Sequence, residues 1–272
     1  FNTTYELGSR MIDDARQRGV DLTYDSYPYL AGCTLLGAVL PQWVQAGTVG
    51  QAVERLQRPE NRARLTEEID GGHLRRSDPD NLFIARVNRP ENKRYEGQPL
   101  SQAAALAGVS VGQFVAELLI AERFEVPVIA RHTHRREEDM IGLLRRREQM
   151  VGSDGVLLGE HGHPREYGTY PRILGVYVRE KGVLELEEAV RKMTWAPASR
   201  LGLRDRGLLL PGWKADVTCF DPETVIDRAT YERADQLPAG ISYVIVNGQL
   251  VIDEGTHTGA LPGRALRRGV DF

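Results

Sequence analysis

Near the start of the chain, the apolar positions predict a helix followed by a strand. Leu7, Met11 and Ala15 recur every four residues and a glycine then ends the pattern, as glycine commonly does at the end of a helix. Apolar and polar residues alternate over 20–25, which predicts a strand that ends at the Tyr-Pro-Tyr of 27–29. Helix, glycine, strand and loop in this order are half of a repeating β/α unit.

Between about residues 31 and 131 this rhythm is lost. Prolines interrupt the segment repeatedly, and charged residues are dense. Apolar residues over 111–119 nevertheless have helical spacing, with Ser110 placed to cap the helix N-terminus. The segment is too long to be a plain loop. We therefore predict a helical insertion on a β/α scaffold, with a short strand at Pro127–Ala130.

After the insertion, the regular pattern returns. A helix face at 140–144, a short apolar strand at 150–152 and an amphipathic helix at 186–193 follow one another. Beyond Leu203 the pattern is that of strands, with a hairpin predicted by the Asn-Gly pair at 247–248. The fold class is therefore α/β, divided into a unit at 1–203 that carries the insertion and a β-rich unit at 204–272.

The overall charge excludes some classes of partner. The 272 residues include 35 Lys and Arg against 38 Asp and Glu, a net charge of −3. No basic excess is available to neutralise the phosphates of a nucleic acid. No apolar run approaches the roughly 20 residues of a membrane-spanning helix. We therefore expect neither nucleic acid nor a membrane as a partner.

Two cysteines, Cys33 and Cys219, are too few for a disulfide-rich scaffold. They fit a reducing compartment, so we expect a cytoplasmic protein. Cys219 falls within a predicted strand and is expected in the core. The chain begins with Phe1, a few residues before a helical pattern, and we expect it to be a piece of a longer protein.

Asp154 is the leading candidate for chemistry. It follows the short strand at 150–152 and lies between a serine and a glycine. In a β/α barrel, polar residues after the C-terminal ends of strands build the active site, where a carboxylate can bind a metal or act as a general base. An aspartate that simply stabilises a turn is an equally good interpretation.

Other polar candidates have weaker support. Arg165, close to His161 and His163, could hold a carboxylate with its two-pronged guanidinium group, but for each of these histidines a solvent-exposed loop is the favoured interpretation. The sequence His-Thr-His at 132–134 has metal-ligand spacing. Its flanking arginines disfavour a cation, so an exposed basic turn is preferred.

Tyr27, Tyr29 and Cys33 form another polar group after the first strand. The tyrosine hydroxyls could orient a substrate, or the group could be a packed aromatic turn. Cys33 has no nearby partner at metal-ligand spacing.

Several of these segments, taken together, resemble one family. The similarity is carried by motifs in the same order along the chain: Tyr-Pro-Tyr-Leu-Ala-Gly at 27–32, Ser-Asp-Gly at 153–155, His-Pro-Arg-Glu-Tyr-Gly-Thr at 163–169, Arg-Lys-Met-Thr at 191–194, Pro-Ala at 197–198, Arg-Leu-Gly-Leu at 200–203, Asp-Arg-Gly at 205–207, Pro-Gly at 211–212, Ala-Asp at 215–216 and Val-Asn-Gly at 246–248. They resemble the N-acyl-D-amino-acid deacylase (D-aminoacylase) family of the amidohydrolase superfamily. The similarity is weakest between about residues 42 and 125.

The resemblance implies a fold and a set of roles. The fold would be the C-terminal part of a metal-dependent (β/α)8 TIM-type barrel, with a small β-sandwich over 204–272. Asp154 would bind zinc or activate the attacking water, and Tyr27 and Arg165 would hold the substrate carboxylate. Cys33 occupies the place of the family's usual serine, and its thiol is a weaker donor than a hydroxyl.

The family's other metal ligands should precede Phe1. These are an HxH pair on the first barrel strand, a cysteine and two strand-end histidines. A catalytic zinc needs three protein ligands, so we expect the zinc site to be incomplete and the chain alone to be inactive without the N-terminal part of the barrel.

The predicted function is hydrolysis of N-acyl-D-amino acids, small-molecule substrates, to a carboxylate and a D-amino acid. Two alternatives remain. One is an amidohydrolase acting on a cyclic amide or another N-acyl compound, and the other is a non-catalytic truncated product.

Overall fold

The computed structural model of the chain describes residues 5–72, 74, 78–132 and 135–270. His73 and the second histidine of the His-Thr-His sequence, His134, lie outside the described residues. The metal-ligand interpretation of that sequence therefore stays untested.

Helices and strands follow one another along the described residues. The α-helices are α1 (Tyr5–Gln17), α2 (Gln42–Gln45), α3 (Val49–Gln57), α4 (Pro59–Asp70), α5 (Leu100–Ala107), α6 (Val111–Ala121), α7 (Glu137–Leu144), α8 (Arg165–Arg172), α9 (Leu186–Met193) and α10 (Trp195–Leu201). The strands are β1 (Tyr24–Ser26), β2 (Gly32–Leu35), β3 (Leu82–Ile84), β4 (Pro127–Ala130), β5 (Gln149–Val151), β6 (Val217–Phe220), β7 (Ile241–Val246), β8 (Gln249–Asp253) and β9 (Thr256–His257).

Two short parallel strands, β1 and β5, form the scaffold of the first unit. Tyr24 is in register with Gln149, and Ser26 with Val151. The strand predicted at 20–25 begins only at Tyr24, because only residues 24–26 have a partner strand to bond to. Val151 packs with helical residues into an apolar core that continues through a π-helical turn at 173–180.

The segment between β1 and β5 contains the predicted helices and also a sheet. Helices α2 to α6 are present, and the Ser110 hydroxyl caps α6 by accepting from the Gln113 N–H at 3.3 Å. The three-stranded antiparallel sheet, in the order β2–β4–β3, is missing from the sequence prediction apart from β4. Its strands have three or four residues each, too few for an alternating pattern to be recognised. Most of the buried apolar residues of this segment form one core.

The C-terminal unit contains one four-stranded antiparallel sheet, in the order β6–β7–β8–β9, within the described residues. The predicted hairpin is confirmed: Asn247 and Gly248 join β7 to β8 with φ of +49° and +79°, as a tight hairpin turn requires. The β-sandwich and the boundary between residues 203 and 204 stay predictions.

The prediction that Cys219 is a core residue is wrong, because the side chain is exposed. All residues of the four strands are at best half-buried. An alternating position in this sheet therefore does not imply burial.

Within the part of the chain that the structure describes, no single helix is long and apolar enough to cross a membrane. Only α5 and α6 together reach the required length and composition, and they are bent by 89° at their junction.

Candidate active site

Asp154 lies three residues beyond the C-terminal end of β5. Its backbone has a φ of +46°, which is uncommon for a residue other than glycine, although aspartate adopts it more readily than most residues. The carboxylate is 67% exposed, and its Oδ2 lies 2.8 Å from Nη2 of Arg165. The adjacent turn is closed by Ser153, whose hydroxyl accepts from the Gly155 N–H at 3.3 Å. The Asp154 carboxylate, beyond the C-terminal end of β5, therefore faces the buried guanidinium of Arg165.

Arg165 begins α8 and is only 2% exposed. Its guanidinium carbon lies 4.4 Å from the ring centre of Tyr27. Within the described residues, Nε and Nη1 are buried and have no hydrogen-bond partner. Buried donors without an acceptor are costly and rare. Two such nitrogens on one guanidinium, which carries a fixed positive charge, form a site suited to an anionic oxygen group.

Tyr27 and Cys33 complete the group. Tyr27 follows β1 and is half-buried, and Cys33 lies in β2 and is also half-buried. The Tyr27 hydroxyl lies 3.8 Å from the position that a Cβ atom on residue 32 would occupy. The tyrosine therefore reaches the start of β2 at Gly32. Burial raises the pKa of the Cys33 thiol, and the charge of Arg165 opposes this effect. Cys33 therefore presents a neutral thiol to the site.

The structure thus brings the predicted site residues Asp154, Arg165, Tyr27 and Cys33 into one region. Their roles stay predictions. His132 lies in the same region, because its Nε2 is 3.6 Å from the position that a Cβ atom on Gly32 would occupy. Among the described residues, no group of three or more His, Cys, Asp or Glu side chains is placed to hold a metal.

His163 is fully buried, so the expectation of an exposed histidine loop is wrong at this position. Its Nδ1 accepts from the Arg165 N–H at 3.0 Å, and its Nε2 lies 3.1 Å from the Ala31 carbonyl oxygen. Burial lowers the pKa of His163 to about 3. The ring is therefore neutral, and it connects the loop before α8 to the turn after β1.

A partly buried charged cluster lies behind this turn and was not predicted from the sequence. Oδ2 of Asp227 accepts from the Tyr29 hydroxyl at 3.2 Å and from Nη1 of Arg172 at 3.3 Å. The Arg172 Nε also donates to the Pro28 carbonyl at 3.1 Å. A side chain on Gly168 would collide with the Tyr29 hydroxyl and with Cβ of Asp227, so α8 approaches the turn closely only because residue 168 is glycine.

Known proteins with similar sequences and structures include deacylases. A curated N-acyl-D-glutamate deacylase from Alcaligenes xylosoxydans xylosoxydans is 36% identical over 257 residues, which are 94% of this chain and 43% of that protein. A D-aminoacylase from the same organism is 42% identical over 172 residues, covering 63% of this chain and 34% of the relative.

A solved structure has a similar fold. It is the N-acyl-D-glutamate deacylase of Bordetella bronchiseptica, complexed with zinc and a phosphonate inhibitor that mimics the tetrahedral intermediate of the reaction. The two structures share 31% sequence identity and superpose with a TM-score of 0.68, over 89% of this chain and 42% of that chain.

These comparisons confirm the resemblance found in the sequence motifs. The chain spans less than half the length of these relatives. The profile of the amidohydrolase family matches residues 73–252, which is most of the chain. The chain therefore belongs to the amidohydrolase family.

Proposed function

We propose that the protein containing this chain hydrolyses the amide bond of N-acyl-D-amino acids. The observation that carries the proposal is the buried guanidinium of Arg165, with two unpartnered nitrogens beside the exposed carboxylate of Asp154. An anion site next to a carboxylate at a strand end is suited to a substrate that has both a carboxylate and a scissile amide. The deacylase names of the relatives support the same reaction.

In this proposal Arg165 and Tyr27 bind the substrate carboxylate. The guanidinium offers Nε and Nη1 as donors, and the Tyr27 ring packs against its face at 4.4 Å. The attraction between the cation and the ring helps to orient the guanidinium, and we propose that the bound carboxylate in turn sets the position of the substrate amide relative to Asp154. Cys33 lines the same region with a neutral thiol, a weak donor.

Asp154 is the proposed general base. Its carboxylate takes a proton from the attacking water and passes it to the nitrogen of the departing D-amino acid. Before substrate binds, the same carboxylate is paired with Arg165. Binding of the substrate carboxylate would give Arg165 a second anion to bind and would leave Asp154 freer to act as a base.

We further propose zinc as the cofactor, with Asp154 as one ligand. An exposed carboxylate is a suitable oxygen ligand for this ion, and a catalytic site needs three protein ligands. The remaining ligands would come from outside the described residues, in an N-terminal part of the barrel. When bound, zinc supplies Lewis-acid activation of the water and of the amide carbonyl.

The finer details of fold and location are proposals of the same kind. We propose that β1 and β5 are neighbouring strands of a TIM-type barrel, because they are parallel and lie next to the site. Residues 204–272 would contribute to a β-sandwich. A cytoplasmic location is supported by the two free cysteines, Cys33 and Cys219.

The test is a substrate screen of the full-length protein with matched variants. N-acetyl-D-amino acids, their L counterparts and hydantoins are offered to the wild type, to Asp154→Ala and to Asp253→Ala. Asp253 is an exposed strand carboxylate and serves as the control. We expect hydrolysis of the D substrates only, its loss in Asp154→Ala and its retention in Asp253→Ala. Near-normal turnover by Asp154→Ala would contradict the role of Asp154.

The same screen separates the alternatives. Hydrolysis of hydantoins alone would indicate a cyclic-amide substrate. Inactivity towards every substrate, together with no bound zinc by elemental analysis, would favour a non-catalytic product.

A further inference from the structure

His163 is fully buried and contacts both sides of the candidate site. It lies in the loop before α8, two residues before Arg165. Its ring reaches the turn after β1, 132 residues away in sequence, where Nε2 lies 3.1 Å from the Ala31 carbonyl oxygen. Arg165 therefore connects through this ring to the turn that carries Tyr27.

The two hydrogen bonds fix the protonation of the ring. The neighbour of Nδ1 is the Arg165 N–H, a donor, so Nδ1 must accept and cannot carry a proton. The neighbour of Nε2 is a carbonyl oxygen, an acceptor, so Nε2 must carry the proton. Only the neutral ring with a proton on Nε2 satisfies both.

Three tyrosine rings enclose the imidazole edge-on. The ring centres of Tyr27, Tyr29 and Tyr231 lie 5.8, 5.3 and 5.3 Å from that of His163. One of the three, Tyr27, is the ring against which the Arg165 guanidinium packs. Any rotation of the imidazole would therefore disturb Tyr27 as well as the backbone of Arg165.

We infer that His163 is a positioning residue for the substrate-carboxylate site, holding Arg165 and Tyr27 at a fixed separation through two hydrogen bonds and an aromatic contact. The inference rests on the proposed function, since it assigns His163 to the binding of the carboxylate of that substrate. His163 does not take part in proton transfer. The charged and titratable groups around it are Arg165, Glu166 and the three tyrosines, and Glu166 accepts from the His163 N–H at 3.1 Å.

The first test compares two substrates of the full-length enzyme, an N-acetyl-D-amino acid and its C-terminal carboxamide. His163→Phe keeps an aromatic ring among the three tyrosines but removes both hydrogen bonds. A displacement of about 1 Å can cost roughly a hundredfold in rate. We expect the preference for carboxylate over carboxamide to fall by about 10- to 100-fold, while kcat/KM for the carboxamide changes much less.

A purely structural role gives a different result. An equal loss on both substrates, or an unchanged preference, would overturn the inference. His257→Phe, at an exposed strand position, is the control for replacing a histidine by phenylalanine and should keep the wild-type preference. Failure of the wild type to hydrolyse the carboxylate substrate would instead refute the proposed function.

His163→Asn provides a second variant of smaller size. Its amide oxygen can still accept from the Arg165 N–H, but it cannot reach the Ala31 carbonyl. We expect a preference between those of the wild type and His163→Phe. A wild-type preference in His163→Asn would show that the bond to Ala31 has no part in positioning.

The second test needs no variant. In the ¹⁵N spectrum of histidine-labelled wild-type protein, we expect one ring with the shifts of the neutral form protonated on Nε2, unchanged between about pH 5 and 9. A ring assigned to His163 that carries the proton on Nδ1, or that titrates near the ordinary histidine pKa, would overturn the inference.

Discussion

Removing the carboxylate of Asp227 should destabilise the protein more than removing any exposed carboxylate. Asp227 is 5% exposed and accepts from Tyr29 and Arg172. Asp227→Ala leaves the Arg172 guanidinium, itself 29% exposed, without its carboxylate partner. It also leaves the Tyr29 hydroxyl with only the Pro164 carbonyl, at 3.5 Å.

The expected cost follows from these burials. Removing one partner of a buried ion pair costs about 3–5 kcal/mol. The partial exposure of Arg172 favours the lower end of that range, because water can solvate the freed charge. A weakened bond to the Tyr29 hydroxyl adds up to about 1 kcal/mol. We therefore expect Asp227→Ala to lower the free energy of unfolding by about 3–4 kcal/mol. Asp227→Asn, which keeps an acceptor but not the charge, should lose about half of that.

The assay is urea unfolding of the full-length protein, followed by tryptophan fluorescence. Glu91→Ala is the control, since Glu91 pairs with Arg89 at 3.1 Å but both side chains are more than half exposed; we expect only a small change. An Asp227→Ala variant no less stable than Glu91→Ala would refute the reasoning. It would show that the cluster behind the turn does not hold α8 to β1.

Three further predictions concern single elements. Ser110→Ala should lower the free energy of unfolding by about 1 kcal/mol, measured by urea titration, because the first turn of α6 loses its cap. Gly168→Ala should destabilise by about 1–3 kcal/mol, because the new methyl group collides with the Tyr29 hydroxyl; Gly263→Ala, where the added atom meets nothing, should not change the melting temperature. The Lys181 ammonium holds the pKa of Glu137 below its usual range. This pair therefore stabilises the fold at pH values above the ordinary glutamate pKa, and the stabilisation is lost as the pH falls through the lowered pKa of Glu137. Melting temperatures of wild type and Glu137→Gln should therefore converge in acid, and a constant difference from pH 7 down to about pH 3 would contradict this sign.

The sequence is informative where a signal is local. Helix α6 follows from its apolar spacing and from Ser110, and the hairpin between β7 and β8 follows from Asn247-Gly248, because a cap or a tight turn depends on only a few adjacent residues. The alternation over 20–25 predicts a strand that begins before β1 does, since alternation does not show which residues find a partner strand.

Long-range contacts explain what the sequence could not show. In the three-stranded sheet β2–β4–β3, Ile129 of the central strand pairs with Cys33 on one side and with Phe83 on the other. No pattern within one short strand indicates such partners. The motifs pointed to Asp154, Arg165, Tyr27 and Cys33, and these lie together.

His163 and Asp227 were not predicted as site residues because their importance depends on burial and on distant partners. The bond between Asp227 and Tyr29 joins residues 198 positions apart. A histidine in a glycine-rich loop gives no local sign that three tyrosines will enclose it.

The pairing of β1 with β5 has a consequence for the order of folding. Ser26 and Gln149 are in contact although they are 123 positions apart, and closing so long a loop before other structure forms is slow. The insertion between them has its own sheet and its own apolar core, so it can collapse first and bring its two ends together. We therefore expect Tyr27 and Arg165 to meet late, after the insertion has folded. Mutations in the insertion core should slow the appearance of the binding site even though they lie far from it.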